Sequence, residues 1–181
     1  MLIHSEDSGL PVIDMQGCLV PAMQAPARTP RNARLLSTAA EARQVPAAPT
    51  EQCPQGLAPT VAEIRTPAGD GAVVEKLHFS CTEEEPIACT FAALGRRQAV
   101  FVGTEAHVRV VRTTTSLVEA GLVVFVVSDA TASRTGESEH ACIRRPSASD
   151  AATATTETVV SEWLGKAGTP AFETLPPSTK H

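Results

Sequence analysis

Aromatic side chains are nearly missing from this sequence: five Phe, one Trp and no Tyr, 3% of 181 residues. A base-stacking nucleic-acid surface is therefore not expected, and the net charge of -5 offers no phosphate-binding footprint either. No apolar run exceeds Leu122 to Val127, which is far short of a membrane span. The five cysteines, Cys18, Cys53, Cys81, Cys89 and Cys142, form no C-x-x-C and no Cys/His ladder, which argues against a zinc site or a disulfide scaffold. Free thiols in a reducing, cytoplasmic setting are the plain reading. Met1 to Gly9 carries Glu6 and Asp7 and has no apolar h-region, so it does not read as a targeting signal. What is present is aliphatic. The hydrophobic fraction is 43%, too high for a disordered chain, and the core is expected to be Ala, Val, Leu and Ile. At about 25 cal/mol per Å² of buried apolar area such a core supports one domain over residues 1–181, with its body at about 9–172 and a Pro-rich tail.

Strand and helix signals alternate along the chain. Leu10 to Met15, Val45 to Thr50, Gly71 to Val74, Ala99 to Val102, Leu122 to Val127 and Ala151 to Thr156 read as strands, with Pro11, Pro46 and Pro49 weakening the first two. Helices are expected from an Asn32 cap to Arg43, over Pro86 to Gly95, His107 to Ala120, Glu137 to Arg145 and Glu157 to Leu164. Residues 51 to 70 read as loop, and the tail after Gly168 as extended. This order is that of an α/β fold, a three-layer α/β/α sandwich around a mainly parallel, Rossmann-like sheet. Right-handed crossovers place all strand C-termini on one edge, where ligands bind in open sheets. Asp14, Glu51 with Gln52, Lys76, the Gly103 to Arg109 turn and Asp129 gather there.

Chemistry at that edge starts from one acid, Asp14, and one amine, Lys76. The Gly103–Thr104–Glu105–Ala106–His107–Val108–Arg109 turn opens a helix, whose free amides suit an oxyanion hole. Between Gly103 and Arg112 there is no Ser or Cys, and Thr104 is the one hydroxyl. The residues alone thus leave two readings open: an active site, or a cluster of charges at strand ends.

Five stretches in order resemble the isochorismatase-like cysteine hydrolase superfamily: VIDMQ (12–16), TEQCPQGLAPTV (50–61), EKLHFSC (75–81), GTEAHV (103–108) and VVSDATASRT (126–135). The resemblance spans about Gly9 to Phe172. It implies a hydrolase of a small-molecule amide, ester or vinyl-ether bond, needing no cofactor and forming a homo-oligomer. It also implies an Asp–Lys–Cys triad, with Asp14 and Lys76 in the first two places. The nucleophile position falls on Arg109, and a non-proline cis peptide, where family members have one, falls on Thr104–Glu105. The turn residues Thr104, Glu105 and Arg109 take the oxyanion position.

Arginine is protonated at any relevant pH and cannot attack a carbonyl. Three readings are open. Arg109 pairs with Asp14 across a non-catalytic site, leaving a scaffold or small-molecule-binding subunit. Alternatively, Asp14 acts as an acid without a thiol, as in isochorismatases proper, while Arg109 holds a substrate carboxylate. In the third, Cys belongs at position 109 in the active form, one codon base away. Gln16, Gln52, Phe79 and His107 are candidate pocket residues, and Cys81 is a candidate substitute thiol or a buried structural one. The Asp-x-His-x-x-His segment of the metal-binding nicotinamidases is missing, so no metal is expected. Some protozoan members carry a ribonuclease label, and the FSC stretch (79–81) is similar to theirs, but the charge gives that label no support as an activity.

Overall fold

The computed structural model describes residues 1–68, 73–83, 95–147 and 151–175. Six strands form one sheet: β1 (Ser8–Ile13), β2 (Ala47–Gln52), β3 (Val74–Lys76), β4 (Gln98–Gly103), β5 (Val123–Thr131) and β6 (Ala152–Ala154). Their order is β3-β2-β1-β4-β5-β6, and every pairing is parallel. The chain steps outward from β1 to β3, then returns to the middle and steps the other way. The crevice at that reversal, between β1 and β4, is where a doubly wound sheet holds its ligands.

Alternation of side chains along the strands builds two cores. Leu10, Val12, Val100, Val102, Phe125 and Val127 face one layer, packing with Leu36 of α1 (Arg28–Ala42) and Trp163 of α6 (Thr156–Leu164). Ile13, Phe101, Val124 and Val126 face the other, against Val110 and Leu117 of α4 (Val111–Glu119). The remaining α-helices among the described residues are α2 (Pro54–Leu57), α3 (Ala62–Ala68), α5 (Gly136–Ser147) and α7 (Pro170–Glu173). Trp163, the single tryptophan, is buried and donates from Nε1 to Ser8 Oγ at 3.1 Å.

Several boundaries differ from expectation for identifiable reasons. β1 and β2 form despite Pro11 and Pro49, because strands buried on both faces gain enough to offset one lost ladder donor each. Asn32 is not a cap. α1 begins a turn earlier, and the Asn32 side chain instead donates from Nδ2 to Asp129 O at 2.9 Å. The third strand lies at Val74–Lys76, later than expected, and residues 71 and 72 of the expected strand fall outside the described residues. Loop 51–70 contains α2 and α3. β5 runs on through Ser128 and Asp129, since Thr131 pairs with Gly103 after a bulge. The tail after Gly168 includes α7 rather than staying extended. The helix expected over Pro86 to Gly95 falls on residues outside those described, apart from Gly95.

Candidate functional site

The ends of β1 and β4 meet unusually closely. A Cβ on Gly103 would stand 2.5 Å from Ile13 O, so only glycine lets the two strand ends abut. Thr104 then donates from its amide to Ile13 O (3.0 Å) and from Oγ1 to Asp14 O (2.7 Å). Asp14 and Glu105, the residues that leave these strands, both have left-handed backbones, with φ of 49° and 47°. Such conformations cost of the order of 1 kcal/mol each in non-glycine residues and persist where the surroundings hold them.

Ion pairs supply that hold. Asp14 is fully buried. Thr50 Oγ1 donates to Oδ1 at 2.6 Å. Lys76 Nζ and Arg109 Nη1 both donate to Oδ2, each at 2.7 Å. Lys76 also reaches His78 O at 3.2 Å. Arg109 continues through Nη2 to Glu105 Oε2 at 2.7 Å, and Glu105 Oε1 pairs with the half-exposed Arg134. Lys76, Asp14, Arg109, Glu105 and Arg134 thus make one chain of alternating charge from the sheet to the surface. The Arg109–Asp14 pairing expected from the sequence is present.

Most amides of the turn are used within the protein. Glu105 donates from its N–H to Met23 Sδ (3.5 Å), Ala106 to Ala132 O (3.0 Å), and Val108 and Arg109 both to Glu105 O (2.9 Å each). The Thr104–Glu105 peptide is trans, contrary to the cis bond placed there by resemblance. Residues Ala106–Val110 form a widened π-type turn ahead of α4, a feature frequent at functional sites.

The other candidates divide. Phe79 is 46% exposed, its ring centre 5.9 Å from Arg109 Cζ. Gln52 donates from Nε2 to Leu77 O (3.0 Å), while its buried Oε1 has no partner among the described residues. Gln16 is a backbone staple rather than a free pocket group. Its amide donates to Gln52 O and Ala58 O and accepts from Gln52 N. His107, half-buried, shares a hydrogen bond from Nδ1 to Ser133 Oγ at 3.0 Å. Asp129 caps α6 through Thr156 and takes no part in the constellation. Among the described residues no group of three or more His, Cys, Asp and Glu could hold a metal, and no helix is long and apolar enough to cross a membrane.

Cys81 lies close to this network, with the hydroxyls of Thr50 and Thr113 against its thiol. It is fully buried, and burial, reinforced by Asp14 and opposed by Lys76, pushes its pKa up to about 11. A protonated, enclosed thiol is a poor nucleophile. Sequence reasoning missed Thr50, Ser133 and Arg134. All three lie inside segments singled out for their resemblance, TEQCPQGLAPTV and VVSDATASRT, and that was the available signal.

A doubly wound parallel sheet with an acid and a lysine paired at its switch point defines a class of α/β domain. The isochorismatase domain matches residues 8–158, and the chain belongs to that family. It is 34% identical over 152 residues to isochorismatase domain-containing protein 2 of Macaca fascicularis, covering 82% of this chain and 68% of that one. Likewise, it is 31% identical over 142 residues to the secreted isochorismatase effector Isc1 of Phytophthora sojae (76% and 68% covered). The MAR1 ribonuclease from Caenorhabditis elegans superposes with a TM-score of 0.88 at 29% identity, covering 96% of this chain and 89% of that one. The Escherichia coli YcaC gene product, described as an octameric hydrolase of unknown specificity, gives a TM-score of 0.91 at 21% identity (99% and 93% covered), a likeness of fold alone.

Proposed function

We propose that this chain is a family member in which an internal ion-pair network has replaced thiol chemistry, leaving a small-molecule-binding or scaffold role. One observation carries the reading. Arg109, at the position where the resemblance puts the nucleophile, lies against Asp14 Oδ2 at 2.7 Å with its side chain 5% exposed. With Lys76 on the same oxygen and Thr50 on the other, three protein donors already occupy this fully buried carboxylate, which disfavours it as a base or acid toward a substrate. The alternative is a hydrolase acting on a small amide, ester or vinyl ether. It draws support from the Asp14–Lys76 pair, and it requires Arg109 to leave Asp14.

The test is hydrolysis of aryl-ester and amide substrates by the wild type and by Arg109→Cys, with mass spectrometry for an acyl-enzyme. The expected result is background turnover and no acyl adduct for the wild type, and an adduct on position 109 of the variant. Wild-type turnover that disappears in Asp14→Asn would establish the hydrolase instead.

We further read the protein as a homo-oligomer. The octameric description of the YcaC neighbour and the exposure of Leu77 and Phe79 beside the site support this, and light scattering tests it. The four described cysteines, all unpaired, support a reducing cytoplasmic setting. The ribonuclease name of one neighbour finds no support in a net charge of -5.

A further inference from the structure

Beyond α6 the chain folds back and leaves a groove. Gly165 ends the helix in a left-handed conformation, φ 64°, and donates from its amide to Ser161 O at 2.9 Å. Thr169 then caps α7 by accepting from the Phe172 amide at 3.2 Å, and Leu175 is buried in the core just after it. Between α6 and this returning segment lies a cavity of about 260 Å³. Glu157, Val160, Ser161 and Leu164 line it from α6, at steps of three and four that place them on one helix face. Lys166 and Phe172 line it from the returning segment. None of these residues belongs to the Asp14 network.

The lining narrows the occupant. Val160, Leu164 and Phe172 give an apolar floor, with a hydroxyl from Ser161. The two ends carry opposite charge: Glu157 sits in the first turn of α6, and Lys166 follows its last residue. The rise from Glu157 to Leu164 is about 10 Å. Both charged side chains are exposed, and neither has an ion-pair partner among the described residues. A fatty acid would leave Glu157 unmatched, and an alkylamine would leave Lys166 unmatched. A single amino acid carries both charges on one carbon and cannot reach both ends. An extended dipeptide spans about 7 Å, and the Glu157 and Lys166 side chains cover the remainder. The volume lies just below the range of about 300–1,000 Å³ typical of pockets for drug-sized ligands, which suits a molecule of that size.

We propose that the groove between α6 and α7 binds a short apolar peptide of about two residues with both termini free. Its ammonium meets Glu157, its carboxylate meets Lys166, and its side chains lie on Val160, Leu164 and Phe172. Binding supplies each charged end of the groove with a partner and covers the apolar floor. The groove is separate from the Asp14 network, so a result at one site does not decide the other.

The experiment is calorimetric titration of the full chain at low salt with leucyl-leucine, its N-acetyl form, its C-terminal amide and glycyl-glycine. Saturable binding of leucyl-leucine is expected. Blocking either terminus should weaken it by about two- to fivefold, the worth of one exposed ion pair. Glycyl-glycine, which keeps both charges but has no side chain for the floor, should give no saturable heat. Glu157→Gln should make the free and N-acetyl peptides bind alike, and Lys166→Met should do the same for the free and amidated peptides. Both positions are exposed, so folding is not at stake. Four results would each overturn the inference: no saturable binding of leucyl-leucine, a blocked form binding as tightly as the free one, glycyl-glycine binding equally well, or discrimination unchanged in the two variants.

Discussion

Arg109 and Lys76 share a single oxygen: each stands 2.7 Å from Oδ2 of Asp14, with side-chain exposures of 5% and 0%. Two buried cations therefore depend on one buried anion, with Glu105 as a second counter-charge for the arginine. Removing one partner of a buried pair strands the other, so losing the shared anion is costlier than losing either cation.

Asp14→Asn should lower the unfolding free energy by about 3–5 kcal/mol, because both cations lose their shared partner. Lys76→Met should cost clearly less, since Arg109 still neutralises Asp14. Urea denaturation of the two variants decides the order, and a lysine variant as damaging as the aspartate variant would contradict it.

Glu105 and Arg134 form one ion pair with unequal stakes. Arg134 is 59% exposed, so Arg134→Ala should cost about 0–1 kcal/mol and nothing measurable at high salt. Glu105, with its side chain 6% exposed, also anchors Arg109, and Glu105→Gln should cost about 3 kcal/mol with little salt dependence. Equal losses in the two variants would mean that Arg109 does not rely on Glu105.

Burial raises the Cys81 thiol from 9.0 to about 11, and burial with Glu139 raises the Cys142 thiol from 9.0 to about 12. Above pH 9 the unfolded thiols lose their protons while the folded ones keep them. The unfolded state then binds fewer protons, so stability falls as pH rises from about 9 through 11–12 and is unaffected by these groups below 9. Unfolding free energies from about pH 8 to 11 should show this decline, and Cys81→Ala with Cys142→Ala should make it shallower. In the native protein at neutral pH, iodoacetamide should label exposed Cys18 well before either buried thiol.

Gly103→Ala should destabilise by about 2–3 kcal/mol, because its Cβ meets Ile13 O and Ile13 Cβ at 2.5 and 2.6 Å. Thermal melting reads the loss.

Much of the fold was legible because its signals are local. The apolar runs Ala99 to Val102 and Leu122 to Val127 could only be strands covered on both faces, and the alternation with helices set the parallel order. Asn32 misled because a good cap residue was recruited for a bond to Asp129 O, 97 positions away. Pro11 and Pro49 misled because ladder propensity lost to burial. At the site, Asp14 and Lys76 could be picked out as an acid and an amine following strands. Thr50 and Arg134 could not, since a threonine at a strand end and an arginine in a loop carry no marker of what they touch.

By itself, then, the sequence determined the layering, the strand edge where polar groups collect, and the lack of a thiol between Gly103 and Arg112. Those features come from side-chain type and spacing. Only the tertiary structure decided that Arg109 closes on Asp14, 95 positions away, that Glu105 and Arg134 extend the pair to the surface, and that Cys81 is sealed beside it. The physical reason is that charge pairing and burial depend on distance in space. That distance arises when the glycine at 103 lets β4 lie against the end of β1.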